Sequence, residues 1–123
     1  MISSLPYLFW IDHVKARRKL VELVFSASNW TQVYTLENCS ELIYRYHDLR
    51  PWIIVLDEKQ IESWNQELLN FFNLPEVKVI HIAETEEVLH LEKQSIGRIA
   101  RDIKPMTLEK IVKDNFLKIR NVN

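Results

Sequence analysis

Asp12, Asp57 and Lys104 are the residues with which this chain could do chemistry. Each follows a short apolar stretch: Tyr7-Leu8-Phe9-Trp10-Ile11 runs into Asp12, Trp52-Ile53-Ile54-Val55-Leu56 into Asp57, and the stretch from Ile99 to Ile103 into Lys104. Two carboxylates brought to one place suit a hard cation, which prefers oxygen ligands. The chain has a single glycine, Gly97, so it holds neither a GxGxxG turn nor a P-loop. Any phosphate chemistry must therefore use side chains and a metal. Each residue also has a purely structural reading. Asp57 could be a polar strand end, Asp12 could cap the helix that follows it, and Lys104 could bridge the two carboxylates.

The elements that must position these residues follow from the apolar pattern. Continuous apolar runs of this length read as strands buried on both faces. They are expected at 7–11, 32–36, 51–56, 77–82 and, more weakly, 99–103. Between them apolar residues recur at helical spacing. Helices are expected from Val14 to Phe25, Glu37 to Leu49, Ile61 to Phe72, Thr85 to Lys93 and Thr107 to Arg120, with Gly97 marking a turn. Strand and helix thus alternate five times. That order predicts an α/β fold, (βα)5, with a doubly wound parallel five-stranded sheet of order 2-1-3-4-5, flavodoxin-like. Ligands in such a sheet bind at the carboxyl ends of strands 1 and 3, where Asp12 and Asp57 stand.

Composition bounds the rest. A chain of 123 residues that is 47% hydrophobic builds one domain with a real core, so 1–123 reads as a single domain. Sixteen basic and seventeen acidic residues nearly cancel, which argues against direct nucleic-acid binding. No apolar run approaches the length of a membrane span. The single cysteine, Cys39, excludes an intrachain disulfide and reads as packing. A cytoplasmic location is expected.

Four pieces in order, Phe9-Trp10-Ile11-Asp12-His13, Ile53-Ile54-Val55-Leu56-Asp57, Val79-Ile80-His81-Ile82-Ala83 and Ile103-Lys104-Pro105-Met106, give the chain a resemblance to the CheY-like receiver domains of two-component response regulators. The resemblance spans essentially the whole chain and implies a signalling domain rather than an enzyme. It implies that Asp57 accepts a phosphoryl group from a histidine kinase or phosphotransfer protein. Lys104 would pair with the phosphate. Mg²⁺ would be held by Asp12, Asp57 and the backbone carbonyl of Lys59, neutralising charge as in other phosphoryl transfers. Signal would pass to a downstream protein, with a homodimer conceivable through the helix 4–strand 5–helix 5 face.

The departures from the family pattern point to an atypical member. His13 stands at the second acidic position, where imidazole is a poor ligand for Mg²⁺, and it reads first as a solvent-facing loop residue. Ala83 stands where a Ser or Thr would sense the phosphate; Thr85 could serve only in a shifted register. Arg101 falls where a switch aromatic is expected. Ile61 replaces a proline, and a nearby glycine is missing. The Lys59 ammonium could itself replace a cation. Conventional switching is therefore expected to be impaired, and the alternative is a pseudo-receiver acting as a phosphorylation-independent interaction or dimerisation module. A nucleotide- or flavin-binding role ranks below both, because so little glycine lets backbone approach a phosphate.

Among the remaining residues, Lys15, Arg17, Arg18 and Lys19 read as a solvated helix face or a docking patch for an acidic partner. His81 reads as a half-buried, hydrogen-bonded strand residue; His47 and His90 read as surface residues. Trp30, Trp52 and Trp64 read as packing. The last helix is followed by no output domain, so a stand-alone receiver or a piece of a longer chain is expected.

Overall fold

A computed structural model describes residues 5–61 and 63–121. Among the described residues there are five strands, β1 (Tyr7–Ile11), β2 (Gln32–Leu36), β3 (Ile53–Leu56), β4 (Val79–Ile82) and β5 (Ser95–Ile99). They form one sheet of order β2-β1-β3-β4-β5 in which every neighbouring pair is parallel. The α-helices of the described residues are α1 (Lys15–Phe25), α2 (Leu42–Leu49), α3 (Gln66–Phe72) and α4 (Pro105–Asn121). The predicted sheet and its order are observed.

Alternation along β1 and β3 explains why their sequences are apolar throughout. Phe9, Ile11, Ile54 and Leu56 face one layer, with Leu42 and Tyr46 of α2 and Leu68 and Phe72 of α3. Leu8, Trp10, Ile53 and Val55 face the other, with Val21 and Phe25 of α1 and Leu108 and Val112 of α4. Successive strand side chains point to opposite faces, so a strand covered on both sides needs apolar residues at every position. The tryptophans pack as expected. Trp30 and Trp52 both lie against Phe116, and the Trp52 indole N–H donates to Thr31 Oγ1. Trp64 lies against Phe72 and His90.

The structure corrects the elements that flank the carboxyl edge. α2 starts at Leu42 rather than Glu37, and α3 at Gln66 rather than Ile61, where Asn65 caps it by accepting the Leu68 N–H. The helix expected over Thr85 to Lys93 is absent. That segment is a chain of turns ending in a short 3₁₀ turn, Glu92–Gln94. Its backbone has other partners. In an α-helix the His90 and Leu91 N–H groups would bond to carbonyls four residues back, but here both donate to the carboxylate of Glu58 (2.6 and 2.8 Å).

The fifth strand is likewise Ser95–Ile99, not Ile99 to Ile103. Gly97 lies inside it, opposite Ile80, rather than in a turn. A side chain there would crowd α4: a Cβ on Gly97 would sit 3.3 Å from Asn115 Oδ1. Arg101 consequently falls outside the strand, and Lys104 does not close it.

A candidate acidic site closed by two arginines

The β1–β3 register pairs Ile11 with Leu56, so Asp12 and Asp57 leave the sheet side by side. Adjacent strands are about 4.8 Å apart, which makes this a place where two carboxylates repel unless they are compensated. Both are buried, Asp12 wholly so. The sequence reading thus placed these two residues correctly, and the structure supplies their partners.

Asp12 is saturated with donors. Its Oδ1 accepts from Val14 N (3.0 Å), Arg17 Nη2 (3.1 Å) and Gln60 Nε2 (3.3 Å). Its Oδ2 accepts from Trp10 Nε1 (3.2 Å) and from Arg17 Nε. The backbone carbonyl of Asp12 accepts from Arg18 Nη1 (2.7 Å). Burial pushes the Asp12 carboxyl up, but the bonds from Arg17, Val14 and Trp10 outweigh it and hold the group below its ordinary value. Asp12 does not cap α1: its bond to Val14 N turns the chain ahead of the helix, whose N-cap is Val14 itself. Arg17 and Arg18 thereby leave the expected basic patch and turn inward on Asp12.

Asp57 is held by Arg101. The guanidinium makes a two-pronged bond, Nε to Oδ2 and Nη2 to Oδ1, each 3.0 Å. Lys59 N donates to Oδ1 as well (3.1 Å). The same guanidinium reaches Glu87, through Nη1 to Oε1 and Nη2 to Oε2. Arg101 therefore clasps the loop after β4 onto the end of β3. Its bond to Glu87, and then its bond to Asp57, push the Arg101 guanidinium to a still higher pKa. The Arg101 bond likewise pulls the Glu87 carboxyl down to about 2. A planar fork matched to a carboxylate is the strongest ordinary ion-pair geometry.

Of the other predicted site residues, Lys59 touches the pair only through its backbone N–H, and the side chains of Lys104, Lys59 and His13 hold neither carboxylate. Among the described residues, the Lys104 side chain has no hydrogen bond or ion pair; it is exposed just ahead of α4. Lys104 therefore bridges neither Asp12 nor Asp57; the cation paired with Asp57 is Arg101, which joins it to Glu87. The Lys59 ammonium lies 3.6 Å from Glu87 and is largely exposed. His13 is exposed, with its backbone N–H on Gln60 Oε1 (2.8 Å). Ala83 is buried at the end of β4 and offers no hydroxyl.

Glu58 and His81 form a second, buried polar cluster that the sequence reading did not assemble. His81 is fully buried rather than half-buried. Its Nε2 lies 2.8 Å from Glu58 Oε2 and its Nδ1 3.1 Å from Ser95 Oγ. Burial keeps the His81 imidazole below its ordinary pKa despite the opposing pull of Glu58. The neutral ring then donates from Nε2 to the Glu58 carboxylate, and Nδ1 faces the Ser95 hydroxyl, which also lies 3.3 Å from the Gly97 carbonyl. Glu58 directly follows Asp57, so two adjacent residues anchor the segment that replaces the predicted helix.

The donor set does not suit Mg²⁺. That ion requires free oxygen lone pairs in octahedral array, whereas both oxygens of Asp12 are already occupied by nitrogen donors. Among the described residues, no group of three or more His, Cys, Asp or Glu is placed to hold a metal ion.

No protein-family model and no curated protein sequence matches the chain. Solved structures do. A CheY-like receiver domain from Methanospirillum hungatei JF-1 is 15% identical, with a TM-score of 0.77 over 98% of this chain and 100% of that one. A response regulator from Thermotoga maritima is 14% identical, with a TM-score of 0.67 over 90% of this chain and 97% of that one. The pseudo-receiver domain of the CikA protein is 15% identical, with a TM-score of 0.64 over 89% and 96%. The chain therefore has the fold of a response-regulator receiver domain. Among the described residues, no helix is long and apolar enough to cross a membrane.

Proposed function

We propose that this chain is a signalling domain working as a pseudo-receiver, a protein-interaction module whose contacts do not depend on phosphorylation of Asp57. One observation carries the reading: a single guanidinium, that of Arg101, binds Asp57 and Glu87 together. The acceptor carboxylate is thereby tied to the segment that would have to move in a switch. Switching needs an element with two arrangements of similar energy. Here Arg101, seated on Asp57, and the neighbouring Glu58 pin the 84–94 segment, and Ala83 provides no hydroxyl to draw it toward a new phosphate. The partner is a protein, and the face formed by this segment, β5 and α4 is the surface offered to it, where Val88 and Met106 are exposed.

The Arg101 fork also favours a second reading. A cation already seated on Asp57 could accompany a phosphoryl group there, taking the part first expected of Lys104.

Intact-mass analysis after incubation with acetyl phosphate and MgCl₂ separates the two. The expected result is an unmodified mass. One added phosphate that disappears in Asp57→Ala would overturn the pseudo-receiver reading in favour of the second.

A further inference from the structure

We infer that Arg17 is a built-in substitute for a divalent cation, sealing the acidic end of the sheet against metal ions. The inference rests on Asp12, a different residue from the one that carries the functional reading, although it concerns the same end of the sheet.

A wholly buried carboxylate beside a second one needs a positive charge, because an isolated buried anion is strongly disfavoured. Arg17 supplies it from the first turn of α1. It reaches back to Asp12 with Nε on Oδ2 and Nη2 on Oδ1, and its side chain is only a quarter exposed. The remaining acceptor capacity is used by Trp10, Val14 and Gln60. A carboxylate offers about four lone-pair directions, so a metal ion could bind only by displacing resident donors, the strongest of them a covalently tethered cation. Tethering makes that competition intramolecular, and an effective concentration near the millimolar range or above favours the resident group.

Sealing has a corollary. With Arg17 shortened, Asp12 and Asp57 remain adjacent on the register of β1 and β3, and the pole regains an unpaired buried charge. At neutral pH a divalent cation then competes with a proton to neutralise it. Arg17→Ala should convert a closed ion pair into a cation site.

The test uses the full chain and two probes, Mn²⁺ and Mg²⁺. Mn²⁺ broadens amide signals close to it. In the unmodified chain, substoichiometric Mn²⁺ should leave the Asp12, His13, Asp57 and Lys59 amides no broader than distant surface amides. In Arg17→Ala the same amides should broaden selectively. Ten millimolar Mg²⁺ should raise the unfolding temperature of the variant and leave that of the unmodified chain unchanged, since a ligand of the folded state alone stabilises it. Apparent Mg²⁺ affinity should rise at least tenfold. If Arg17→Ala does not fold without metal, Arg17→Gln keeps the length and one donor, and recovery of its folded spectrum by Mg²⁺ is the equivalent readout.

Selective broadening in the unmodified chain would overturn the inference, as would a folded variant that neither broadens nor is stabilised. Failure here is distinct from failure of the functional reading. A chain that binds Mn²⁺ at this pole yet takes no phosphate would refute the seal and leave the pseudo-receiver intact. Phosphate on Asp57 of a chain that excludes Mn²⁺ would do the reverse.

Discussion

Arg101 Nε and Nη2 each lie 3.0 Å from a different oxygen of Asp57, and the same guanidinium grips Glu87 across the loop after β4. This places a permanent cation on the carboxylate at the end of β3, and it links that residue to the 84–94 segment. The consequences are mechanical as much as electrostatic.

Arg101→Ala should destabilise the chain by about 2 kcal/mol. Removing one partner of a buried pair leaves an uncompensated carboxylate, and partial exposure of Arg101 moderates the loss. Thermal or urea unfolding reads it. Lys104→Ala, which removes no hydrogen bond or ion pair among the described residues, should stay within about 0.5 kcal/mol of the unmodified chain. Equal effects of the two substitutions would refute the assignment of Arg101 as the partner of Asp57.

The contrast between Arg101 and Lys104 shows what the sequence could convey. The apolar runs into Asp12 and Asp57 placed both carboxylates correctly, because strands buried on both faces leave an unambiguous signature. The fifth strand left a weaker one. Ser95-Ile96-Gly97-Arg98-Ile99 is mixed in polarity, and only Ile99 is buried. Shifting that strand four residues toward the carboxyl end put Arg101 inside it and made Lys104 its terminus. The segment from Thr85 to Lys93 failed differently. Its Glu, Leu and Lys residues favour a helix locally, but Glu58 and Arg101 capture its backbone and its Glu87 side chain from elsewhere in the fold. Arg17 was equally hidden, since a basic run on a helix looks solvated until the turn before it brings Asp12 within reach.

Glu58→Gln should loosen the segment that Glu58 anchors. The carboxylate accepts from His90 N, Leu91 N and His81, and glutamine must present an amide nitrogen to one of these donors. A loss of about 2 kcal/mol is expected for buried donors left unpaired. Hydrogen exchange at the His90 and Leu91 amides should accelerate more than at the β1 and β3 amides. Unchanged protection at these two positions would show that Glu58 is not the anchor.

Acidification should weaken the same cluster. His81 faces Glu58, Glu92 and Arg98, and burial lowers its folded-state pKa below the ordinary 6.5. The unfolded chain therefore takes up a proton first as pH falls. The stabilising effect of the neutral ring is complete above 6.5 and is lost progressively below it. Imidazole nitrogen NMR across the acid range should find His81 titrating below 6.5. A midpoint above 6.5 would contradict the burial that lowers it. Glu87 acts further down the scale: its contribution is complete above 4.5 and lost as pH falls through about 2.

Gly97→Ala should cost about 1 kcal/mol, because the added methyl would crowd the Asn115 side chain, which is itself held by the Ile111 carbonyl. Urea unfolding checks it. A neutral or stabilising outcome would mean that α4 sits further from β5 than its packing here indicates.

The most direct measurement of phosphorylation-independence is a two-dimensional amide NMR titration with beryllofluoride, an acyl-phosphate mimic, in the presence of millimolar Mg²⁺. With Arg101 on Asp57 and Arg17 on Asp12, the expected spectrum is unchanged at Asp57, Lys59, Ala83 and throughout the 84–94 segment. Saturable shifts that begin at Asp57 and spread through that segment into β5 and α4 would show that the phosphoryl site and its switch are both intact.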